Sequence, residues 1–304
     1  MDRREALTFG TTAAALALSV NATAVAHARK PAYVGSYLER PDGTSLFFKD
    51  WGAGDPVVFV HSAGNNSDVW SHSMIHVVAQ GFRCVAFDRR GHGRSSVPGG
   101  SYDYDTLADD LAGVMDAFDL RRATLVGHSM GCGEVVRYLT RHGSKRVARI
   151  ALVAPTLPYL LKTADNPNGI DKKYFDALRA EWAHDYPQWL AANAPPFFMP
   201  DTSPQMIQWG IGLALQTSLH AAIESNISVT ETDFREELMR IDVPTLIVQG
   251  TADRSCPLEI TGGPTAALIP GSELKIYGGA PHGILLTHVE QLNEDLMRFV
   301  RASL

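Results

Sequence analysis

Residues 127–131 read Gly-His-Ser-Met-Gly, a spacing that could present a serine as a nucleophile. They follow a short β-rich run and precede a helical pattern, so the sequence predicts a strand, a sharp turn and a helix. Such a turn lifts the serine hydroxyl off the sheet, and small flanking residues allow the backbone to bend. Because Ser129 then begins a helix, the helix dipole favours negative charge on a nearby substrate oxygen. We expect Ser129 to attack a carbonyl carbon.

A serine needs a base to remove its proton and a carboxylate to orient that base. Asp253 comes just after the predicted strand Thr245–Gly250, and His282 lies on a Gly/Pro-rich loop after the predicted strand Glu273–Tyr277. Catalytic residues collect at the carboxyl ends of parallel strands, and the order serine, acid, histidine suits a serine on a strand–turn–helix. The sequence therefore predicts the catalytic triad Ser129, Asp253 and His282.

An oxyanion hole requires two main-chain N–H donors near the nucleophile. Met130, the residue after Ser129, should supply one of them. The other should come from the loop that begins at His61, where the Ala63 N–H is our prediction and the Ser62 N–H is the alternative.

Short β-rich runs alternate with helical patterns along the chain, which predicts a mostly parallel sheet flanked by helices. The predicted strands are Tyr33–Glu39, Leu46–Trp51, Val57–His61, Arg83–Asp88, Thr124–Gly127, Ile150–Ala154, Thr245–Gly250 and Glu273–Tyr277. The predicted helices are Ser67–Gln80, Asp105–Phe118, Gly131–His142, Glu259–Ile269 and His288–Arg301.

The alternation of strand and helix patterns stops in the middle of the chain. We interpret residues 156–240 as a helical cap inserted between a first core part, 29–155, and a second, 241–304. The alternative is a set of extra helices packed on the core. A loop-rich aromatic insertion beside a site is typical of a substrate lid. The residues predicted to contact substrate are Ser62, Trp182, Trp189, Phe198 and Trp209.

Residues 1–28 have the pattern of a signal peptide. Arg3 and Arg4 are followed by an uncharged run from Ala6 to Ala28 that ends in Ala-x-Ala patterns. The paired arginines favour twin-arginine export of a bacterial protein, with Sec export and an uncleaved membrane anchor as alternatives. We expect an exported protein, periplasmic or secreted, with no membrane contact after cleavage.

Composition narrows the function classes. The 304 residues are 45% hydrophobic and 20% charged, as in ordinary globular proteins. A net charge of −6 disfavours binding to nucleic acid. Cys84, Cys132 and Cys256 lack the spacing of metal motifs, and we expect buried thiols, with a Cys132–Cys256 disulfide as the alternative. We expect no metal and no cofactor. The adjacent acids Asp109 and Asp110 are interpreted as a solvated helix face.

The chain resembles the α/β-hydrolases of the cofactor-free bacterial haloperoxidase group, which includes perhydrolases and aryl esterases. The resemblance extends from about Asp42 to Arg301 and is carried by DRRGHGRSS at 88–96, YDYDT at 102–106, GHSMG at 127–131, VVRY at 135–138, GTADR at 250–254 and GAPHG at 279–283. It implies the α/β-hydrolase fold without metal or cofactor. By resemblance, Ser129 is the nucleophile, His282 the base and then the acid, and Asp253 the residue that orients His282.

The sequence departs from the family pattern in three places. The family loop usually reads His-Gly-aromatic-Pro, whereas Ser62, Ala63 and Gly64 follow the histidine here. This departure favours hydrolysis over perhydrolysis and predicts a roomier pocket. Cys132 replaces a usual glycine, and Leu286 stands where many relatives carry tryptophan.

The sequence therefore predicts an exported serine hydrolase that cleaves carboxylic esters or lactones through an acyl-enzyme, with a small molecule as its partner. A haloperoxidase or perhydrolase, a C–C bond hydrolase and a non-catalytic binding protein on the same fold are the alternatives. The oligomeric state stays open.

Overall fold

The computed structural model describes residues 33–302, so the predicted signal peptide at 1–28 lies outside the described residues. Nine strands form one sheet in the order β1-β2-β3-β5-β4-β6-β7-β8-β9. The strands are β1 Tyr33–Val34, β2 Tyr37–Glu39, β3 Ser45–Trp51, β4 Pro56–Val60, β5 Arg83–Phe87, β6 Ala123–His128, β7 Val147–Val153, β8 Thr245–Gly250 and β9 Glu273–Tyr277.

The sheet is parallel from β5 to β9 and antiparallel at the edge formed by β1, β2 and β3. The predicted mostly parallel sheet is confirmed. The first predicted strand is divided in two, because Gly35 adopts a positive φ of 59° between β1 and β2. In the centre of the sheet, Val60 of β4 is opposite Gly127 of β6, which brings the ends of these two strands together.

Ten α-helices accompany the strands in the part of the chain that is described. Their bounds are α1 Ser71–Ala79, α2 Tyr104–Ala117, α3 Met130–His142, α4 Lys172–Asn193, α5 Pro204–Ala214, α6 Leu219–Glu231, α7 Arg235–Leu238, α8 Gly262–Leu268, α9 Ile284–Thr287 and α10 Val289–Arg301. Short 3₁₀ helices cover Ser67–Trp70 and Pro195–Phe197.

The sheet has a hydrophobic core on each face. Strand side chains alternate between the faces, so Val58 of β4 belongs to one core and Phe59 to the other. Leu111 of α2 packs into the first core, and Met74 of α1 and Leu296 of α10 pack into the second. Burial on both faces explains why β4 reads as a nearly continuous apolar run.

The helical face expected to be solvated is partly buried. Asp109 is partly exposed, but Asp110 is 2% exposed and accepts two hydrogen bonds from Arg90, at 2.7 and 2.9 Å. Burial of a carboxylate is tolerated because the guanidinium compensates its charge. The prediction for Asp110 was wrong, since its partner follows β5 and is remote in sequence.

The stretch between β7 and β8 contains α4, α5, α6 and α7 and no named strand among its residues. It contacts the core at several points; for example, the Gly283 N–H donates to the Phe197 carbonyl oxygen at 3.0 Å. Residues 156–240 are thus mostly helical, and their role as a cap stays a prediction. No helix within residues 33–302 is long and apolar enough to cross a membrane.

Candidate active site

Ser129 occupies a tight turn between β6 and α3. Its φ of 55° is unusual for a residue with a side chain. The turn brings backbone into close contact on both sides: a Cβ on Gly127 would lie 2.6 Å from the Gly131 carbonyl oxygen, and one on Gly131 would lie 2.5 Å from that of Val60. Only glycine fits at these two positions, which explains the motif around Ser129.

Ser129, His282 and Asp253 form a hydrogen-bonded chain. The Ser129 Oγ lies 2.9 Å from His282 Nε2, and His282 Nδ1 lies 2.7 Å from Asp253 Oδ2. The carboxylate accepts a hydrogen bond from the Nδ1–H group, which leaves Nε2 unprotonated and able to take the proton of the serine hydroxyl. All three side chains are buried, at 5 to 7% exposure. The structure therefore brings together the three residues of the predicted triad.

The loop after β8 holds the Asp253 carboxylate. Its Oδ1 accepts hydrogen bonds from the main-chain N–H groups of Ser255 and Cys256, and its Oδ2 accepts one from Gln249 Nε2. Burial acts to raise the pKa of Asp253, but the charge of His282 and these hydrogen bonds outweigh it and lower the pKa below its ordinary value. Asp253 therefore stays ionised beside His282 at neutral pH.

His128 braces the loop that carries His282. Its Nε2 donates a hydrogen bond to the His282 carbonyl oxygen at 3.0 Å, and the two rings lie 5.0 Å apart. Burial and the nearby charge of His282 lower the pKa of His128 to about 3, so this ring is neutral. The motif allows any residue type at position 128, so the contact between His128 and His282 is recognised only in the folded structure.

The two predicted oxyanion donors lie on adjoining segments. Met130 begins α3, and Ala63 lies on the loop after β4, against which Gly131 packs. Neither main-chain N–H donates to another residue in the described part of the chain. Unpaired N–H groups of this kind are available to a substrate oxygen. Their role as the oxyanion hole stays a prediction.

An ion pair that sequence reasoning missed holds the Ala63 loop. Arg89 is 1% exposed, pairs with the fully buried Glu134 of α3, and donates to the carbonyl oxygens of His61 and Ser62 at 2.6 and 3.1 Å. The His61 ring accepts a hydrogen bond at its Nε2 from the main-chain N–H of Arg89, at 2.9 Å. His61 therefore has a structural role, because its ring is hydrogen-bonded to the backbone. Glu134 on α3 and Arg89 after β5 are far apart in the sequence, so no local pattern predicts that they pair.

A cavity of about 720 Å³ opens onto the Ser129 and His282 side chains. Ser62 and Ala63 form part of its wall, and most of the rest comes from the helices between β7 and β8. Bulky side chains that line it are Leu178, Trp182, Tyr186, Trp189, Phe197 and Phe198. The volume and the apolar wall are typical of a site for a small organic molecule.

Four of the five residues predicted to contact substrate line this cavity: Ser62, Trp182, Trp189 and Phe198. Trp209 does not. Its ring packs edge-on against His72 at 6.1 Å and adjoins the core on the α1 side of the sheet. Gly210, the next residue of α5, faces the cavity instead, because successive residues of a helix point about 100° apart. The prediction for Trp209 was wrong.

The cysteines and possible metal ligands are accounted for within the described residues. Cys84, Cys132 and Cys256 are free and buried, so the disulfide alternative is not formed. Among residues 33–302, one group of three side chains has potential ligand atoms within 4.8 Å of one another: Asp253, Cys256 and His282. Because His282 Nδ1 and Asp253 already share a hydrogen bond, this group fits a triad rather than a metal site.

Comparison with known proteins agrees with this geometry. Residues 55–205 match a family described as having the alpha/beta hydrolase fold. The chain is 40% identical to a putative non-heme chloroperoxidase of Synechocystis, over 88% of this chain and 99% of the relative. It is 36% identical to a bifunctional esterase/perhydrolase of Acinetobacter calcoaceticus, over 88% and 99% of the two chains.

Solved structures show the same relationship. An esterase from Exiguobacterium antarcticum superimposes with a TM-score of 0.85 at 32% identity, covering 88% of this chain and all of that one. A bromoperoxidase from Bacillus anthracis gives a TM-score of 0.83 at 32% identity, covering 85% and 96%. The fold expected from the sequence is therefore confirmed, and the chain belongs to the α/β-hydrolase family, in the group that contains the non-heme haloperoxidases.

Proposed function

We propose that this protein is a serine hydrolase that cleaves carboxylic esters or lactones through an acyl-enzyme. The observation that carries the proposal is the hydrogen-bonded chain from Ser129 Oγ through His282 to Asp253 at the end of an apolar cavity. A binding protein would not need a buried, oriented base beside a serine. The relatives named esterase also support the proposal.

In the first half of the reaction, the Ser129 Oγ attacks the carbonyl carbon while His282 Nε2 takes the hydroxyl proton. The ionised Asp253 stabilises the imidazolium that forms. The carbonyl electron pair moves onto oxygen, where the N–H groups of Ala63 and Met130 donate to it. The oxyanion then collapses, the bond to the leaving alcohol breaks, and His282 protonates that alcohol.

In the second half, water attacks the acyl-enzyme. His282 Nε2 takes a proton from the water as its oxygen bonds to the acyl carbon. Collapse of the second oxyanion breaks the bond to Ser129, and His282 returns the proton to Oγ. The acid leaves, and the enzyme is regenerated with all atoms and protons balanced.

Perhydrolysis is a second candidate, because relatives are named chloroperoxidase and esterase/perhydrolase. In that reaction hydrogen peroxide replaces water as the nucleophile, so the acyl-enzyme yields a peracid and free Ser129. The peracid then oxidises halide. The same residues serve both reactions, and the choice between water and peroxide depends on the walls around the acyl group, including the Ser62-Ala63-Gly64 loop.

Hydrolysis of p-nitrophenyl esters of increasing acyl length tests the proposal, with Ser129→Ala beside the unsubstituted protein. We expect turnover that disappears in the variant. Retention of most of kcat by a folded Ser129→Ala variant would overturn the triad. Adding peroxide and monochlorodimedone with bromide to the same assay measures perhydrolysis, and halogenation that depends on Ser129 would establish the second candidate.

Export is part of the proposal as well. The Arg3-Arg4 pair and the uncharged run that follows support cleavage near Ala28. Expression of the full chain in a bacterium, followed by fractionation and N-terminal sequencing, tests it. A mature N-terminus near residue 29 in the periplasm or medium is the expected result, and a full-length cytoplasmic or membrane-bound chain would contradict it.

A further inference from the structure

The cavity wall is mostly apolar but includes polar side chains. Three of these are Ser62, Asn65 and Tyr186. These groups lie beside the loop that carries the Ala63 N–H. A substrate that presented only hydrocarbon here would leave the Tyr186 hydroxyl without a partner, at a cost in binding free energy.

Tyr186 has a hydroxyl without a partner. The residue is 8% exposed and lines the cavity, yet its Oη makes no hydrogen bond with any described residue. Burial raises the pKa of this phenol to about 12, so it carries its proton at any ordinary working pH. The hydroxyl also lies 3.4 Å from the point that a Cβ on Gly64 would occupy, one residue beyond Ala63.

The position of the Tyr186 ring is fixed by its own helix. Helix α4 is interrupted at Asp185, whose φ is −154°, and its second half begins at Tyr186 and Pro187. The Asp185 carboxylate accepts from the Gln188 N–H at 2.9 Å and so caps that second half. The Tyr186 ring stacks on Trp189 with 8° between the ring planes. These contacts hold the hydroxyl over the loop before substrate arrives.

Ser62 offers a second donor on the same side. Its Oγ accepts from Asn65 Nδ2 at 3.0 Å and donates to no residue within the described part of the chain. The side chain is 3% exposed and lines the cavity. Tyr186 and Ser62 therefore place two O–H groups at the Ala63 loop, and neither group donates to an acceptor within residues 33–302.

We propose that the enzyme prefers esters or lactones of acids that carry a hydroxyl or oxo oxygen on the second or third carbon, followed by an apolar tail. Tyr186 is then a specificity-determining residue that donates to this oxygen, assisted by Ser62. The tail occupies the aromatic part of the cavity, between Trp182 and Phe198. The inference rests on the proposed function, because it assumes that the acyl carbonyl lies against Ala63 and Met130.

The test compares methyl octanoate with its 2-hydroxy and 3-hydroxy derivatives. The unsubstituted protein should show kcat/KM about tenfold higher for at least one hydroxy ester than for methyl octanoate, the ratio that one net hydrogen bond gives. Tyr186→Phe, which keeps the ring, should reduce that ratio to about one. Tyr138→Phe is the matched control, because Tyr138 is also buried but does not line the cavity.

Two outcomes would overturn the inference while leaving the proposed function intact. One is equal kcat/KM for the three esters. The other is a Tyr186→Phe variant that lowers kcat/KM by the same factor for all three, since this would make Tyr186 a donor to the shared carbonyl oxygen.

A binding measurement separates this inference from failure of the proposed function. Ser129→Ala should bind the preferred hydroxy ester about tenfold more tightly than methyl octanoate, read by the fluorescence of the tryptophans that line the cavity. The added Tyr186→Phe substitution should abolish the difference. Equal Kd values would overturn the inference whether or not the unsubstituted protein turns over esters.

Discussion

The guanidinium of Arg89 donates a hydrogen bond to the carbonyl oxygen of Ser62, 3.1 Å away. The peptide group that begins with this carbonyl ends in the Ala63 N–H, which is one of the two proposed oxyanion donors. A trans peptide is planar, so fixing the carbonyl also fixes the direction of the N–H. Arg89 is itself held by Glu134 of α3, so the ion pair ties the loop after β4 to the helix that follows Ser129.

Substitutions at Arg89 should show its contribution to stability and its contribution to activity as two separate effects. Arg89→Met leaves Glu134 buried without a cation, which should lower the free energy of unfolding by about 3–5 kcal/mol. Arg89→Met/Glu134→Leu should recover most of this loss, because apolar replacement of a whole buried pair is nearly neutral. Both variants should lose about 10²-fold in kcat, since the loop is no longer held.

Denaturant unfolding and ester hydrolysis measure these two quantities. Arg141→Met is the control, because the Arg141 pair with Asp109 is on the surface and contributes at most about 1 kcal/mol. Full activity in the stable double variant would show that Arg89 does not position the loop.

Gly131→Ala should damage the site through a backbone clash. The added Cβ would lie 2.5 Å from the Val60 carbonyl oxygen, which is backbone and cannot rotate away. The loop after β4 must therefore move from α3. We expect a loss of about 1–3 kcal/mol in stability and about 10²-fold in kcat.

Gly212→Ala on α5 is the matched control for this substitution. A Cβ there meets nothing within 4 Å, and alanine favours a helix interior by about 1 kcal/mol. Gly212→Ala should therefore be at least as stable as the unsubstituted protein. Equal effects of the two substitutions on kcat would contradict the close packing of loop and helix as the cause.

Asp253→Asn should reduce kcat by roughly 10⁴-fold, because an amide no longer fixes the tautomer of His282 or stabilises its charged form. The triad hydrogen bond that is lost joins His282 Nδ1 to Asp253 at 2.7 Å. Steady-state kinetics at saturating ester checks this expectation. A variant with a tenth or more of the original kcat would exclude Asp253 as the orienting carboxylate.

Asp253→Asn should also change how the free energy of unfolding depends on pH. The pKa of Asp253 is lowered below its ordinary value of 3.8, so ionised Asp253 stabilises the fold above that pH. This contribution is lost as the pH falls from 3.8 through the lowered pKa. The difference in unfolding free energy between the unsubstituted protein and Asp253→Asn should therefore decrease as the pH falls below 4. An unchanged difference down to pH 3 would contradict it.

Trp189 and Trp209 should behave differently when shortened. Trp189 lines the cavity, so Trp189→Leu should enlarge it and shift the preferred p-nitrophenyl ester toward longer acyl chains. Trp209 packs on the core side, so Trp209→Leu should lower stability by a few kcal/mol without moving that preference. If Trp209→Leu alone shifted the acyl preference, Trp209 and not Trp189 would be the residue that contacts the acyl chain.

The residues of the proposed triad were accessible from sequence because local signals mark each of them. Ser129 lies between two required glycines, and Asp253 follows a strand with a clear apolar run. His282 lies on a Gly/Pro-rich loop after the strand Glu273–Tyr277, in which apolar and charged residues alternate. Strand ends are the places where an α/β sheet concentrates its chemistry, so their order along the chain was enough.

Side-chain direction and long-range pairing were not accessible in the same way. The orientation of Trp209 depends on the rotation of α5 about its axis, which the weak periodicity of a segment interrupted by prolines does not fix. Asp110 looked like a surface acid because Arg90, its partner, is twenty residues away. The position of the unpartnered Tyr186 hydroxyl could not be predicted either. It depends on the break in α4 at Asp185 and on how closely the loop at Gly64 approaches this helix.

The central claim is that Ser129 is the nucleophile activated by His282. A fluorophosphonate that reacts with activated serines tests it most directly, with intact and peptide mass measured as activity is lost. We expect one phosphonyl group per chain, located on Ser129, with labelling and inactivation at equal rates and no labelling of Ser129→Ala. A folded protein that hydrolyses esters while Ser129 stays unlabelled, or that is labelled at another serine, would contradict it.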